Sequence, residues 1–302
     1  MATSSSRNFN LDVAEYVEEA FERCGLETRT GYDVETARRS LNLLFADWAN
    51  RGLNRWTISQ ETLTLAQDIS EYPLGTLTVS VGSVSGTFSA GETITGGTSA
   101  ATANVTSVVS ASSLAITIPS GTFAASETIT GGTSAATATV SSAVDFDNVQ
   151  SSIDILSAVI RTDSGTTSQS DISIGRISRD EFINIPSKRS SSRPSQFYVD
   201  RQITPIIKLW PTPDSSTEYT LVYDRLQRIQ DADTFTDTMA VPFRFYPCLT
   251  AGLAYYLAMK RAPERVQLLK SVYEEEFERA SSEDRDRASL SLVPSNNYYT
   301  MI

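Results

Sequence analysis

The sequence predicts an α+β fold in which a four-helix cluster, built from helix pairs at the N- and C-terminal ends, carries an inserted antiparallel β-domain. Three observations lead to this prediction. Apolar residues recur every three or four positions near both ends of the chain, whereas they alternate with a period of two in the middle. Within that middle part, a tract rich in serine, threonine and glycine repeats itself, which predicts a further all-β insertion.

The places where the period changes define the expected domains. Both ends contribute to one domain, because a helix with an apolar face needs a second helical layer to cover it. The expected boundaries are residues 1–56 and 241–287 for the helical domain, 57–75 and 149–240 for the β-domain, 76–148 for the repeat insertion, and 288–302 for an extended C-terminal tail.

Two helices are expected near the N-terminus. Asn10 is expected to cap the first, over Leu11–Cys24, because a side-chain oxygen there can accept from a free backbone N–H. Asp33 is expected to cap the second, which ends before Gly52. The second helix has an apolar face with three- and four-residue spacing, made of Val34, Ala37, Leu41, Leu44, Phe45 and Trp48.

Two more helices are expected near the C-terminus. Pro247 is placed to kink the first of them or to lie in its first turn, and Pro263 is placed to start the second. Their apolar faces are expected to cover those of the N-terminal pair. The expected inward residues are Phe245, Leu249, Leu253, Tyr256 and Leu257 on one helix, and Val266, Leu269, Tyr273 and Phe277 on the other.

The β-domain is expected to consist of short strands on both sides of the repeat insertion. A helical turn over 178–186 follows a serine cap, and the basic loop KRSSSRPS after it is expected to be flexible. We expect the two flanks of the insertion to pair in one sheet. The expected strands lie in TISQETLTLAQ, EYPLG, IDILSAVIR, DISIGRI, QFYVDRQ, PIIKLW and EYTLVYDRL.

The insertion contains two copies of one sequence. Residues 86–105 read GTFSAGETITGGTSAATANV, and residues 121–140 read GTFAASETITGGTSAATATV, with a period of 35. Each copy has a strand followed by a Gly-Gly turn, so each is expected to form a β-hairpin unit whose apolar face its neighbour completes. Disorder is the alternative for such a polar tract, but regularly placed valines, isoleucines and phenylalanines favour a folded unit.

The composition argues against catalysis and against bound cofactors. The chain has no histidine, which excludes histidine-dependent triads and most zinc sites. The acidic run 274–276 is expected to be a solvated helix face, and the aspartates of 231–237 a polar loop rather than a calcium site. Cys24 and Cys248 fit packed apolar faces, so we expect buried thiols rather than a disulfide.

The charge argues against DNA recognition, because the formal net charge is −11 and DNA-binding proteins usually carry a basic patch. The sequence shows neither a signal peptide nor an apolar run of 18 residues, so a soluble, non-exported protein is expected.

Two segments of the chain are expected to contact other proteins. The basic residues Lys188, Arg189 and Arg193 are expected to contact an acidic protein surface rather than nucleic acid. The tail carries apolar and aromatic residues in a segment too short to fold alone, which predicts docking into a partner groove. Those tail residues are Leu290, Leu292, Val293, Tyr298 and Tyr299. The alternative is that the tail folds back on its own domain.

Several segments of the chain carry a family resemblance through their order and combination. The segments are LNLLFADWANRGLNRW (41–56), EYPL (71–74), DILSAVIR (154–161), RISRDEFINIP (176–186), RPSQFYVDRQ (193–202), KLWPTPD (208–214) and AGLAYYLAMKRAPERVQLLKSVYEEEFERASSEDRDR (251–287). In these segments the chain resembles the head-to-tail adaptor, or connector, proteins of short-tailed bacteriophages. The repeat insertion departs from the family pattern.

This resemblance implies a structural, non-enzymatic virion protein that is made in the host cytoplasm and located at the head–tail junction. The helical domains would form a ring of about twelve copies. The ring would dock onto the portal protein through the C-terminal tail, connect it to the tail nozzle, and continue the DNA channel. Genomic DNA would pass through without sequence-specific binding.

Two functions from other classes remain open at this stage. The repeat insertion could form a host- or carbohydrate-binding module, although it has few aromatic residues to stack on sugars, or a contact for tail fibres or the nozzle. A cell-wall hydrolase acting through paired carboxylates is the other alternative, but the sequence has no paired motif for it.

Overall fold

A computed structural model describes residues 9–27, 31–52, 55–216 and 218–285 of the chain. The chain divides into two compact units. The helical unit comprises residues 1–56 and 230–302, and the β unit comprises residues 57–229. Helices and antiparallel sheets are both present, which confirms the predicted α+β class.

Four long helices make up most of the helical unit. Their bounds are Val13–Arg23 (α1), Gly31–Asn50 (α2), Tyr246–Arg261 (α5) and Val266–Glu283 (α6). Helix α5 contacts each of the other three. Residues 231–240, expected in the β-domain, belong to this unit because their backbone bonds to α1: Val13 N donates to Asp237 O, and Ala14 N to Phe235 O.

Helix α1 begins two residues later than the sequence analysis expected. Its N-cap is Asp12 rather than Asn10, because Asp12 and Glu15 form a capping box in which each side chain accepts from the other residue's backbone N–H. The thiol of Cys24, just after the helix, donates to the carbonyl of Ala254 on α5 at 3.2 Å. Both cysteines are buried free thiols, as predicted.

Helix α2 begins at Gly31, so Asp33 lies within the first turn and is not its cap. The carboxylate of Asp33 is buried and pairs with Arg261 at the end of α5. Long-range pairing therefore gives Asp33 a role that local capping rules do not anticipate. The predicted apolar face is buried except for Val34, which is half-buried.

The core of the helical unit centres on Trp48. Its indole lies within 6.1 Å, between ring centroids, of Phe45, Phe245 and Phe277. Close packing of α2 and α5 depends on Gly252, where a Cβ would lie 2.8 Å from Leu44 Cδ2. Pro247 lies in the first turn of α5, as one of its two predicted placements required.

The β unit contains two four-stranded sheets and two short helices. The first sheet has the order β1-β14-β9-β10, and the second has the order β11-β12-β13-β2. Their bounds are Ile58–Thr64 (β1), Glu71–Pro73 (β2), Ser152–Thr162 (β9), Ser170–Ser173 (β10), Gly175–Arg176 (β11), Gln196–Asp200 (β12), Ile206–Trp210 (β13), Tyr219–Gln227 (β14), Asp147–Gln150 (α3) and Arg179–Asn184 (α4).

The two flanks of the insertion pair with each other, as expected, but they do so in two sheets rather than one. Strand β1, before the insertion, pairs with β14, after it, and β2 likewise pairs with β13 in the second sheet. Strand β14 lies between β1 and β9 in the first sheet. Its largely buried pattern from Tyr219 onward suits a central strand with partners on both edges.

The repeat insertion forms a closed six-stranded barrel with the order β3-β6-β5-β4-β7-β8. Its strands are Thr78–Ser85 (β3), Thr93–Gly96 (β4), Thr102–Ser110 (β5), Ser113–Ile116 (β6), Thr128–Gly131 (β7) and Thr137–Val140 (β8). The folded alternative is therefore correct and disorder is excluded here. Closure removes the exposed strand edges that an isolated hairpin pair would leave.

The barrel has an internal two-fold relationship between its repeats. Val79 pairs with Leu114 and Thr95 pairs with Thr130, and each of these pairs joins a residue to its equivalent in the other repeat. Each 35-residue unit therefore contributes three strands, β3–β5 from the first and β6–β8 from the second, and residues of both units make up one shared core.

Across the described residues, no helix combines the length and the apolar character that crossing a bilayer requires.

Candidate interaction surfaces

An ion cluster at the surface of the helical unit joins the end of α2 to α6. Arg51 donates from Nη1 to Glu274 Oε2 at 2.6 Å and from Nε to Asp47 Oδ2 at 2.8 Å. Its guanidinium carbon lies 4.9 Å from the ring centroids of both Tyr273 and Phe277. Hydrogen bonding by Arg51 lowers the pKa of Glu274. Glu274 is exposed, as expected for a solvated helix face, and it also pairs with Arg51.

The same cluster contains a chain of aromatic hydrogen bonds. Trp48 Nε1 donates to the Tyr273 hydroxyl at 2.9 Å, and that hydroxyl donates to Asp47 Oδ2 at 3.1 Å. Burial raises the pKa of Tyr273, so the hydroxyl stays protonated. These contacts link α2 to α6 through side chains of both helices.

An acidic groove runs between α1 and the start of α5. We use this name for the groove of about 400 Å³ rimmed by Glu15, Glu18, Glu19 and Glu22. Its apolar lining includes Phe9, Leu11, Tyr246 and Pro247. Glu18 and Glu22 are exposed and lie one helical turn apart on the same face.

A second surface of the helical unit is positively charged. We call Arg39, Leu43, Met259 and Lys260 the basic patch; Leu43 follows Arg39 by one helical turn on α2 and Met259 precedes Lys260 on α5. Lys260 Nζ donates to Ser40 Oγ at 2.7 Å, which brings these two helices together here. Leu43 is 59% exposed and Met259 is 47% exposed.

The predicted basic loop of the β unit is joined to its surroundings by several hydrogen bonds. Trp210 Nε1 donates to Ser187 O at 2.9 Å, and Lys188 Nζ donates to the carbonyls of Ile183 and Ile185, at the end of α4. Lys188 therefore closes the helix terminus. Arg189 and Arg193 are exposed.

Arg225 on β14 links the barrel to the sheet and was missed by the sequence analysis. Only 1% exposed, it donates to Glu61 Oε1 at 2.9 Å, Ser152 Oγ at 2.7 Å and Asn148 O at 3.0 Å. A Cβ at Gly75 would lie 2.7 Å from Arg225 Nη1 and 2.6 Å from Asn148 Oδ1. The chain therefore enters the barrel at Gly75 and leaves it at Asn148, and both residues lie next to the side chain of Arg225.

A pattern in the sequence could have indicated this role. Tyr219, Leu221, Tyr223 and Arg225 occupy alternate positions of one strand, and all are buried. An arginine in register with three inward apolar residues predicts a buried cation that needs partners.

The remaining predicted sites fall into two groups. The five tail residues Leu290, Leu292, Val293, Tyr298 and Tyr299 lie outside the described residues. In the loop 231–237, Asp237 accepts from the backbone and hydroxyl of Thr234, so it shapes a turn. In the part of the chain that the structure describes, no three His, Cys, Asp or Glu side chains come together as a metal site would require.

Comparison with known proteins supports a structural role. A family model described as SU10 adaptor protein matches residues 111–296, which run from the second repeat of the barrel through β9–β14, α5 and α6. No curated protein shows significant similarity to the chain.

The matched residues cover more than half of the chain and include parts of both units. The resemblance to a bacteriophage head-to-tail adaptor is thereby confirmed. The chain belongs to the SU10 adaptor protein family.

Proposed function

We propose that the protein is the structural subunit of a head-to-tail adaptor ring of about twelve copies, which docks onto the portal protein and connects it to the tail nozzle. The ring completes the head after DNA packaging and continues the channel used in DNA ejection. It performs no catalytic step. Its place is the head–tail junction of the virion, after synthesis in the host cytoplasm.

The observation that carries this proposal is the family match. It spans the sheet strands β9–β14 and the helices α5 and α6, so it covers the elements on which a ring would be built. The packing of α2 against α6 through Arg51 supports it, because a subunit that repeats around an axis needs surfaces held in fixed positions.

Charge supports the channel role. With a net charge of −11 per chain, about twelve copies would carry roughly −130. A wall of that sign repels the phosphate backbone, so DNA would pass through without binding to it.

Two sets of residues are proposed for partner contacts. The tail residues Leu290, Leu292, Val293, Tyr298 and Tyr299 would dock into the portal, because they place apolar surface on a segment too short to bury it alone. Arg189 and Arg193 would contact an acidic protein surface, and both are exposed within the basic loop. Lys188 would position that loop.

The barrel is proposed as an outward contact for the nozzle or tail fibres that the ring does not need for assembly. Its two ends meet at Gly75 and Asn148, so it can be removed without opening the sheets. Deleting residues 78–146 with a short glycine-serine join should leave ring assembly intact. If the ring fails to assemble although the sheet strands keep their protection from hydrogen exchange, the barrel is part of the ring.

Imaging of purified particles by cryo-electron microscopy tests the main proposal, since it counts the copies between head and tail. A ring is the expected result, and a single copy would reject the proposal. Deletion of residues 288–302 is expected to leave a folded subunit that no longer binds portal. E278K, at an exposed position of α6 outside the proposed contacts, serves as the control and should leave portal binding intact.

A further inference from the structure

We propose that neighbouring copies of the chain meet head to tail, with the basic patch of one copy docked into the acidic groove of the next. This inference rests on the proposed ring function and names the two surfaces that join its subunits. Contacts of this kind join two different surfaces, so they form a ring when the rotation between copies closes.

One chain cannot satisfy both surfaces by itself. Pro247, in the acidic groove, and Lys260, in the basic patch, lie at opposite ends of α5. At a rise of about 1.5 Å per residue they are roughly 20 Å apart along the helix axis. Because a single helix sets this separation, the groove and the patch can meet only when they belong to different molecules.

The two surfaces carry opposite charges. Glu18 and Glu22 present carboxylates on the exposed face of α1, whereas Arg39 and Lys260 present cations. An acidic groove repels nucleic acid, so the fitting partner is a protein surface with exposed cations. The basic patch of a second copy has that chemistry.

Both surfaces also expose large apolar side chains next to their charges. Phe9 lines the groove and is 64% exposed, and Phe243, 71% exposed, lies 5.5 Å from the ring of Tyr246. Leu43 and Met259 are the exposed apolar members of the basic patch. Apolar surface surrounded by charge is typical of the centre and rim of a protein interface.

The charge around Lys260 is consistent with this docking. Burial, followed by the nearby Arg39 and Arg261, lowers the pKa of Lys260. Carboxylates from a neighbouring copy would offset this repulsion between cations.

Charge reversal of the full-length chain tests the contact. The groove variant is E18K/E22K, and the patch variant is R39E/K260E. Sedimentation velocity over a concentration series measures self-association. Each variant alone should associate about 100-fold more weakly than the wild type, because like charges then face each other. An equimolar mixture should recover association, because every groove then meets a patch of opposite charge.

Controls separate this contact from a general effect of charge or folding. The matched control E278K/D180K reverses two exposed carboxylates elsewhere and should assemble like the wild type. Melting curves check the fold, and R39E alone keeps the bond from Lys260 to Ser40. The mixture is the decisive measurement, because unfolded variants would not rescue each other.

The possible outcomes are distinct. If the wild type forms a ring and both variants do too, the docking is wrong and the ring function stands. If the variants fail alone and in the mixture, or if only the groove variant fails, the two surfaces do not face each other and the docking is again wrong. A wild type that stays monomeric in solution and as a single copy in particles would reject the ring function itself.

Discussion

Glu92 and Glu127 each bind the turn that belongs to the other repeat of the barrel. Glu92 accepts from the backbone N–H groups of Thr133 and Ser134 at 3.2 and 2.9 Å. Glu127 accepts from Thr98 and Ser99 at the same two distances. Both carboxylates are buried, so this reciprocal binding joins the two repeats by charge-assisted hydrogen bonds.

The first prediction concerns the acid stability of the barrel. Burial raises the pKa of Glu92 and Glu127, but hydrogen bonds from the turns outweigh it and hold each pKa below the ordinary value of 4.5. A lowered pKa stabilises the fold fully above pH 4.5, and this contribution is lost as the pH falls through the folded-state values.

Hydrogen-exchange protection in residues 78–140 should therefore fall below pH 4.5 before that of β9 and β14. The variant E92Q/E127Q should be less stable at pH 7 and should lose most of this pH dependence. Equal loss of protection in barrel and sheets in the wild type would contradict the prediction.

The second prediction concerns Gly96, whose missing side chain leaves space for the carboxylate of Glu127. A Cβ there would lie 2.7 Å from Glu127 Oε2 and 2.5 Å from Ser99 Oγ. G96A should destabilise the barrel by about 1–3 kcal/mol, because an overpacked site must displace the carboxylate. Denaturant unfolding measures the change. G175A is the matched control, since the nearest atom there is 4.0 Å away, and an equal effect of both changes would refute the steric argument.

The third prediction concerns Arg225. R225M should cost about 3–5 kcal/mol, because it leaves Glu61 and the Asn148 carbonyl without their partner. R225K should recover only part of this stability, because lysine lacks the planar guanidinium group that donates to Glu61 and to the Asn148 carbonyl at once. Thermal melting measures both variants. R228K, at an exposed position on the same segment, is the control for replacing an arginine. If R225M melts at the same temperature as the wild type, Arg225 does not stabilise the fold in this way.

The fourth prediction concerns the bond between Trp48 and Tyr273. Y273F should destabilise the helical unit by about 1–3 kcal/mol, because the buried indole N–H loses its acceptor. A double-mutant cycle with W48F measures the coupling, and Y255F, on the stacked neighbouring ring, is the control. Additive effects of Y273F and W48F would show that the hydrogen bond contributes no coupling.

Much of the local structure could be predicted from residue spacing. The capping box at Ser178, the start of α5 near Pro247 and the hairpins of the repeats follow from short-range rules, because their partners lie within a few residues. The predicted helix starts were wrong where a side chain pairs with a residue far away in the sequence. Asp33 pairs with Arg261 on α5, so it does not cap α2.

Among the candidate surfaces, the basic loop was found by composition, but its anchoring by Trp210 was not. The acidic groove was not foreseen, because α1 and the start of α5 are more than 200 residues apart in the sequence. Neither helix alone predicts which of its polar residues will line a shared groove.

The sequence by itself determined the α+β class, the period-35 repeat, the buried thiols and the resemblance to an adaptor, because these depend on local spacing and composition. Only the tertiary structure decided that β14 lies between β1 and β9, that Arg225 holds the ends of the barrel, and that Glu92 and Glu127 each bind the turn of the other repeat. These features depend on which distant groups can bury one another with their hydrogen bonds satisfied, and that choice is made by the whole fold.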